Sequence, residues 1–380
     1  MRILSITGPL HREFGGPPMA ATGAAASLSK IGYQVKMIVC GQSFRDSQLN
    51  SNFFNKLSQY GTEVQILQRR KESKYGAVLR YKELRQLWID VSKSDFVILH
   101  QVFELQYLAI FPVLLLLKAP YAVMPHGTLT TYQRKQHKFR KLLFSPGTYL
   151  FLKSSKAIFV ATETEKDQLP DYLNSKGINV GIGIELQHHE PQNQIHLTPT
   201  FNLLYMGRIA KKKRLDVALK AFALALKKSN LRMKFIVCGS GEESYVAQLK
   251  KLVEELQIES YVEFRGWVDF SEKKLAFSES DCFILTSEDE NFAISAAEAL
   301  AHGVPCILSS NVALADLVAK HNAGIVFEEL HPLEIEKAIT ELSKSDRSIL
   351  KSSSLGAASE LSWDTVVKQW ATSITILLKH

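Results

Sequence analysis

Cysteine is scarce in this 380-residue chain, and its placement argues against disulfides and zinc sites. Each of the four cysteines lies in or beside an apolar run, and none belongs to a CxxC pair; they are Cys40, Cys238, Cys282 and Cys306. Buried, unpaired thiols fit this placement better than disulfides or metal ligands. We therefore expect a reducing compartment, with the cytoplasm as the default. No metal-binding motif appears anywhere in the sequence, and we expect no bound metal or cofactor.

Long apolar segments are also missing. Residues 2–7 form a strand-like run that leads straight into a polar, glycine-containing loop, whereas a secretory signal needs a charged start and a longer apolar core. Residues 108–117 are apolar but too few to cross a bilayer. We expect neither a signal peptide nor a transmembrane helix.

Acidic residues are absent between Leu105 and Thr162, where eight lysines and arginines fall. Those eight charges equal the whole formal net charge of +8. Aromatic residues alternate with the cations over 133–151, a pattern suited to anionic lipid or a pyrophosphate-linked ligand, although a solvated basic face would look the same. No nucleic-acid recognition motif accompanies the charge, so we expect no nucleic-acid partner. The candidate surface residues are Arg134, Lys135, Lys138, Arg140 and Lys141.

Length and composition predict two ordinary domains. The chain has 46% hydrophobic and 22% charged residues, enough for two full cores. Strand-like apolar runs alternate with helical patterns, which predicts parallel sheets covered on both faces, in two doubly wound halves. The polar stretch 187–199 contains two prolines and is the best linker, so we place the hinge near 184–200.

Two glutamates, Glu290 and Glu298, flank the start of an alanine-rich run. Residues 287–291 are polar and turn-prone while 293–301 are good helix formers, so Glu290 is expected at the mouth of a helix. The unpaired amides of a first helical turn stabilise a diphosphate, and the carboxylates would accept hydrogen bonds from sugar hydroxyls. At about 1.5 Å per residue, the two acids would lie roughly 12 Å apart along the helix axis. The alternative is two unrelated, solvated glutamates.

A second candidate lies where a strand-like run ends at Gly207. Arg208 follows at once, and residues 211–214 are all basic before an amphipathic helix begins. Arg208 could hold a phosphate by two parallel hydrogen bonds, and Lys213 could serve as a point charge on the same diphosphate. A solubilising surface loop is the alternative for the basic run.

His126 and several glycines complete the candidates. His126, followed by Gly127, comes directly after the strand-like residues 121–124, where parallel sheets bind ligands. A helix-capping or core histidine is the alternative. The pair Gly15-Gly16 and the pair Gly239 and Gly241 do not form a dinucleotide fingerprint. They predict tight strand-to-helix turns whose amides could approach a phosphate.

These segments, in this order, resemble retaining glycosyltransferases with the GT-B fold, in the group called glycosyltransferase family 4. The resemblance covers nearly the whole chain. The matching segments are 1–7, 15–39, 125–127, 180–185, 207–214, 238–242, 264–268, 290–305 and 362–370.

The resemblance implies an α/β protein of GT-B architecture, with two doubly wound, Rossmann-like domains facing across a cleft. It implies an acceptor-binding domain at 1–183, a hinge at 184–200 and a nucleotide-sugar-binding domain at 201–360. A last helix at 361–380 would pack back on the first domain. The implied reaction transfers a sugar from a UDP- or GDP-sugar, with retention and without a metal, to a saccharide or polyprenyl-linked acceptor. The expected location is the cytoplasm, and contact of the basic residues with anionic lipid, rather than with the acceptor, would place the protein at the inner face of the cytoplasmic membrane.

Site roles also follow from the resemblance. The catalytic residues would be Glu290, His126, Arg208 and Lys213. Donor contacts would come from Gly15, Gly16, Gly207, Arg208, Lys213, Gly239, Gly241, Glu290, Asn291, Phe292, Ala293 and Glu298. The chain departs from the family pattern at Ala293 and Arg214, where relatives often have glycine, and at Ile182, where they often have asparagine. A GT-B-type epimerase or phosphorylase, or a non-catalytic nucleotide-sugar-binding subunit, stays open as an alternative.

Overall fold

The computed structural model describes residues 1–10, 15–42, 51–68, 79–135, 145–186, 200–229 and 231–379. The fold consists of two compact units. Unit 1 comprises Met1–Gly183 and Trp363–His380, and unit 2 comprises Ile184–Ser362. Most of the proposed hinge, residues 187–199, lies outside the described residues.

The described part of unit 1 is built on a seven-stranded parallel sheet in the order β3-β2-β1-β4-β5-β6-β7. Its central strands are buried on both faces, which is why they read as continuous apolar runs. The strands are β1 (Arg2–Thr7), β2 (Gln34–Gln42), β3 (Glu63–Gln68), β4 (Phe96–His100), β5 (Tyr121–Met124), β6 (Ala157–Val160) and β7 (Gly177–Asn179).

Helices connect these strands, as parallel pairing requires. They are α1 (Gly16–Lys30), α2 (Ser51–Gln59), α3 (Tyr81–Ser92), α4 (Gln106–Leu116), α5 (Thr131–Lys135), α6 (Ser145–Ser154) and α7 (Glu163–Asp167), with a 3₁₀ turn at Asp171–Lys176.

The described part of unit 2 holds a six-stranded parallel sheet in the order β10-β9-β8-β11-β12-β13. Its strands are β8 (Thr200–Met206), β9 (Arg232–Cys238), β10 (Val262–Gly266), β11 (Cys282–Leu285), β12 (Cys306–Ser309) and β13 (Gly324–Phe327). Its helices are α8 (Leu215–Lys228), α9 (Glu243–Glu255), α10 (Phe270–Ser278), α11 (Ile294–Ala301), α12 (Ala315–His321), α13 (Pro332–Lys344) and α14 (Arg347–Glu360), with 3₁₀ turns at Lys211–Lys213 and Glu259–Tyr261. The predicted pair of doubly wound parallel sheets is confirmed.

The C-terminal helix α15 (Trp363–Lys379) belongs to unit 1. The ring of Trp363 packs so tightly on Gly23 and Gly183 that a Cβ at these glycines would lie 2.2 and 2.4 Å from ring atoms. Trp370, one and a half to two turns further along, is fully buried. Two tryptophans thus anchor the last helix in the core of unit 1.

Across the described residues, the helices are too short or too polar to serve as membrane spans. The four cysteines are buried and unpaired, as the sequence predicts.

Candidate active site

The largest cluster of predicted site residues lies at the carboxyl edge of the unit 2 sheet. Strands β8 and β11 are neighbours there, so the loops that follow them meet. Three consecutive cations of the first loop pair with three consecutive acids of the second. The pairs are Lys212 with Asp289 at 3.7 Å, Lys213 with Glu290, and Arg214 with Glu288 at 3.0 Å.

The central pair, Lys213 and Glu290, is the most enclosed of the three. The side chains are only 13% and 18% exposed, and the ammonium nitrogen contacts Oε2 of the carboxylate. Burial lowers the pKa of Lys213, while the charge of Glu290 and its hydrogen bond act in the opposite direction. A second anion beside this ammonium would favour its charged form further.

The backbone of Glu290 is held on both sides. Its N–H donates to the carbonyl of Asn311 at 3.2 Å, and its carbonyl accepts from the N–H of Ala313 at 3.1 Å. The carboxylate therefore stands on a fixed loop, which is what the binding of specific hydroxyls requires.

Arg208 differs from the other cations of this edge. It is exposed, and its guanidinium forms no ion pair with the part of the chain that the structure describes. The loop around it is anchored, because the N–H of Ile209 donates to the carbonyl of Ser240 at 2.8 Å and the Tyr205 hydroxyl donates to the Arg208 carbonyl at 3.0 Å. The planar guanidinium of Arg208 thus offers five N–H donors to a ligand anion.

Gly239 and Gly241 have a packing role that the sequence did not reveal. A Cβ at Gly239 would lie 1.8 Å from the Gly207 carbonyl oxygen, and a Cβ at Gly241 would lie 2.1 Å from that of Ile209. The two chain segments leaving β8 and β9 therefore touch backbone to backbone. These glycines are required for the fold of the edge, whether or not they also touch a nucleotide.

Helix α11 begins one residue later than the sequence predicts, with Ala293 as its N-cap. Ala293 has φ 66°, and Arg214 has φ 48°, both in the left-handed region that favours glycine. The two positions where relatives often carry glycine thus keep a glycine-like backbone with other side chains. Asn291 and Phe292 lie in the loop just before this helix, and Phe292 is buried.

Glu298 lies inside α11 and does not stand alone. Its carboxylate contacts the ammonium of Lys273, on α10, and is 17% exposed. Sequence reasoning missed Lys273, since the two residues lie 25 positions apart and nothing local links them.

In unit 1, His126 lies two residues after the end of β5 and has φ 51°. Its Nε2 lies 3.1 Å from Nδ1 of His100, the last residue of β4. Buried Glu165 fixes the loop by accepting hydrogen bonds from the N–H groups of Gly127 at 2.6 Å and Ala161 at 2.7 Å. Burial lowers the pKa of His126 to about 3 and the pKa of His100 well below its usual value, so both rings are neutral near pH 7.

His100 and Glu165 were also missed from the sequence. His100 could have been found by the same criterion as His126, because it is a polar residue at the carboxyl end of a parallel strand.

Gly15 is the N-cap of α1 with φ 69°, and Gly16 is the first residue of that helix. Pro17 and Pro18 follow, so two of the first-turn amides that could face a phosphate are missing.

Only part of the predicted basic surface lies among the described residues. Arg134 and Lys135 end the short helix α5, and Nη2 of Arg134 donates to the Gln168 carbonyl at 3.3 Å. Lys138, Arg140 and Lys141 lie outside the described residues. Within the described ranges, no group of three or more histidine, cysteine, aspartate or glutamate side chains is arranged to hold a metal.

Residues 189–356 match the sequence model of the glycosyl transferases group 1 family. The alpha-monoglucosyldiacylglycerol synthase of Streptococcus pneumoniae is 29% identical over 227 residues, 55% of this chain and 51% of that protein. The human GDP-Man:Man(3)GlcNAc(2)-PP-Dol alpha-1,2-mannosyltransferase is 30% identical over 145 residues, 36% of this chain and 29% of that protein. The chain therefore matches about half or less of the length of these curated relatives. Among solved structures, HepE of Anabaena in complex with UDP and glucose superposes with a TM-score of 0.76 at 14% identity, over 99% of this chain and 100% of that one.

Proposed function

We propose that this chain, whose residues 189–356 match the glycosyl transferases group 1 family and whose fold is GT-B, is a retaining, metal-independent glycosyltransferase. Its substrates would be a nucleoside-diphosphate sugar and a saccharide or lipid-linked saccharide acceptor. The family match and the fold confirm the predicted resemblance to GT-B glycosyltransferases, and the narrower assignment to family 4 stays a prediction. The observation that carries the proposal is the enclosed Lys213–Glu290 pair near the exposed Arg208, at the edge where such sheets bind ligands.

The proposed chemistry follows from the charges at this edge. Arg208 and Lys213 would bind the diphosphate and stabilise the negative charge that grows on it as the sugar departs. Glu290 and Glu298 would accept hydrogen bonds from sugar and ribose hydroxyls, because carboxylates are poor phosphate ligands but strong acceptors. The positive groups would take the place of a metal ion in this account. The proposal keeps His126 as a contact of the transferred sugar.

The ligands of relatives support the proposed substrate classes. HepE binds UDP and glucose, and the human relative is named for GDP-mannose, which supports a nucleoside-diphosphate sugar donor and leaves the base open. The Streptococcus relative is named for a glucosylated diacylglycerol, which supports an acceptor that carries a lipid. Assembly of a polysaccharide or glycolipid is therefore the setting we propose.

Exposed apolar and basic side chains of unit 1 support peripheral contact with an anionic membrane. Leu116 on α4 is 71% exposed and Leu150 on α6 is 51% exposed. Lys153 on α6 is exposed, as are the first cations of the basic surface, Arg134 and Lys135. Apolar side chains flanked by cations suit the boundary of an anionic bilayer. We propose the cytoplasmic face of the membrane as the location, which the buried, unpaired cysteines also support.

The first test is a melting comparison with UDP, GDP and no ligand. A ligand at a hundredfold excess over its dissociation constant adds about 2.7 kcal/mol of stability, so the correct nucleotide should raise the melting temperature clearly. If neither nucleotide does, the assignment of the donor site fails.

Turnover then separates the classes of protein. A transferase should release nucleotide from its sugar donor only with an acceptor, in EDTA as well as in magnesium, and should leave the anomeric configuration unchanged by NMR. Phosphate-dependent turnover would indicate a phosphorylase, and acceptor-free conversion of the donor would indicate an epimerase. Binding without any turnover would indicate a non-catalytic subunit.

A further inference from the structure

His100, the last residue of β4, pairs with His126, the predicted sugar contact in the loop after β5. Nδ1 of His100 and Nε2 of His126 are 3.1 Å apart, and the rings are stacked with centroids 5.3 Å apart. His100 is 1% exposed, whereas His126 is partly exposed. Only one of the two facing nitrogens can carry the proton of this hydrogen bond when both rings are neutral.

The surroundings of His100 decide which nitrogen that is. Its other ring nitrogen, Nε2, is buried and has no hydrogen-bond partner within the described residues. A proton on Nε2 would therefore be a buried N–H donor without an acceptor, which destabilises the folded state. Placing the proton on Nδ1 avoids this arrangement and makes His100 the donor in the pair.

The pair is also held in place by the rest of unit 1. The ring of Trp370 stacks on His100 with centroids 6.5 Å apart, and Trp370 in turn contacts Phe159 edge-on at 5.4 Å. His126 sits in a loop that Glu165 fixes through the Gly127 amide. Neither ring can turn without disturbing buried neighbours, so the direction of the hydrogen bond is built into the fold.

We propose that His100 is a positioning residue that donates from Nδ1 to Nε2 of His126 and thereby holds His126 in its Nδ1–H form. The proton of neutral His126 is then on the nitrogen that His100 does not occupy, so His126 offers an N–H donor, and not a lone pair, to a ligand oxygen. Burial, which lowers the pKa of both histidines, keeps the pair neutral and the proton count fixed. This role in transfer rests on the proposed function, whereas the tautomer itself does not.

The tautomer is tested directly by NMR on the full chain. Histidine labelled with ¹⁵N gives long-range ¹H–¹⁵N correlations that distinguish a protonated from an unprotonated ring nitrogen, and the signals of His126 are assigned by their loss in His126→Ala. We expect His126 to be protonated at Nδ1 and bare at Nε2. In His100→Phe we expect a mixture of tautomers. Protonation at Nε2 in the parent protein, or an unchanged pattern in His100→Phe, would overturn the proposal whatever reaction the protein catalyses.

Kinetics with the same variants test the consequence. His100→Phe should lower kcat about tenfold to a hundredfold, the scale of a misplaced reacting group, with little change in KM for the nucleotide sugar. His100→Asn should recover most of kcat, because its amide nitrogen can donate from near the position of Nδ1. Phe159→Leu is the matched control, since it weakens packing on the same Trp370 without touching the pair. It should lower stability and leave the tautomer and kcat unchanged. An unchanged kcat in His100→Phe, or equal losses in the Phe and Asn variants, would overturn the positioning role.

Discussion

Replacing Gly239 by alanine should destabilise unit 2 strongly, even without any ligand. The new Cβ would lie 1.8 Å from the carbonyl oxygen of Gly207, which belongs to backbone and cannot swing away. Gly239 also has φ 143°, a conformation that side chains rarely adopt. The N–H of Gly239 donates to the Gly266 carbonyl at 2.6 Å, so the strand end cannot shift freely to relieve the clash.

The expected magnitude follows from these two effects. A forbidden backbone conformation costs about 1–3 kcal/mol and overpacking about 1–3 kcal/mol. The reduced freedom of the unfolded chain returns about 0.4–1 kcal/mol. The net loss is therefore about 1–6 kcal/mol, centred near 3 kcal/mol. Gly266→Ala is the control, because it also has a positive φ of 70° but no atom within 4 Å of the added Cβ. It should cost about 1 kcal/mol, the left-handed penalty less the gain in the unfolded chain.

Hydrogen exchange at increasing urea measures these losses unit by unit. Peptides covering β8 and β9 report on unit 2, and peptides covering β1 and β4 serve as an internal reference in unit 1. A Gly239→Ala protein whose β8 and β9 amides exchange as slowly as those of Gly266→Ala would refute the backbone contact. The conserved stability of unit 1 in both variants is the check that the effect is local.

Three further predictions concern the proposed site, the membrane and acid. Lys213→Ala and Glu290→Ala should each lower the rate of sugar transfer by about 10²–10³, the scale of a lost preorganised charge contact. The control Lys211→Ala, at an exposed lysine, should leave the rate unchanged. Normal turnover in either site variant would show that its residue does not belong to the site. Neutralising Arg134, Lys135, Lys138, Arg140 and Lys141 should weaken binding to anionic vesicles at least about tenfold, since each charge contributes about 1 kcal/mol near the surface. Neutralising five exposed lysines of unit 2 (Lys220, Lys227, Lys251, Lys274 and Lys344) is the control, and equal sedimentation of the two variants would argue against a local membrane face. Burial lowers the pKa of His126 to about 3, so between that pH and about 6.5 the unfolded chain binds a proton that the folded chain does not. Unit 1 should therefore be fully stable above about pH 6.5 and lose stability as the pH falls toward 3. Urea unfolding at pH 7.5 and 5.5 measures this loss, which His100→Asn should reduce, and a pH-independent midpoint would contradict it.

Much of the fold was predictable because it depends on local pattern. Strands buried on both faces need continuous apolar runs, and residues 121–124 show one directly. The helix after Glu290 was predicted to within one residue for the same reason. The glycines indicated the correct loops. The reason that glycine is needed at Gly239 was not predictable, because its contact with Gly207 joins segments that follow two different strands.

The pairing of charges was not predictable in the same way. The sequence shows the cations at 211–214 and the acids at 288–290 as two separate runs. Their partnership exists only because β8 and β11 are neighbours in the sheet. The same holds for Lys273 with Glu298 and for His100 with His126, whose partners lie 25 and 26 positions apart.

The sequence by itself determined the parallel α/β class, strands such as 121–124, the helix after Glu290 and the identity of the charged residues, because these depend on neighbours along the chain. Only the tertiary structure decided which charges face each other, which glycines are required by close backbone contact, and which histidine stands behind His126. Those relations depend on strand order and on the burial it creates, and a linear pattern carries neither.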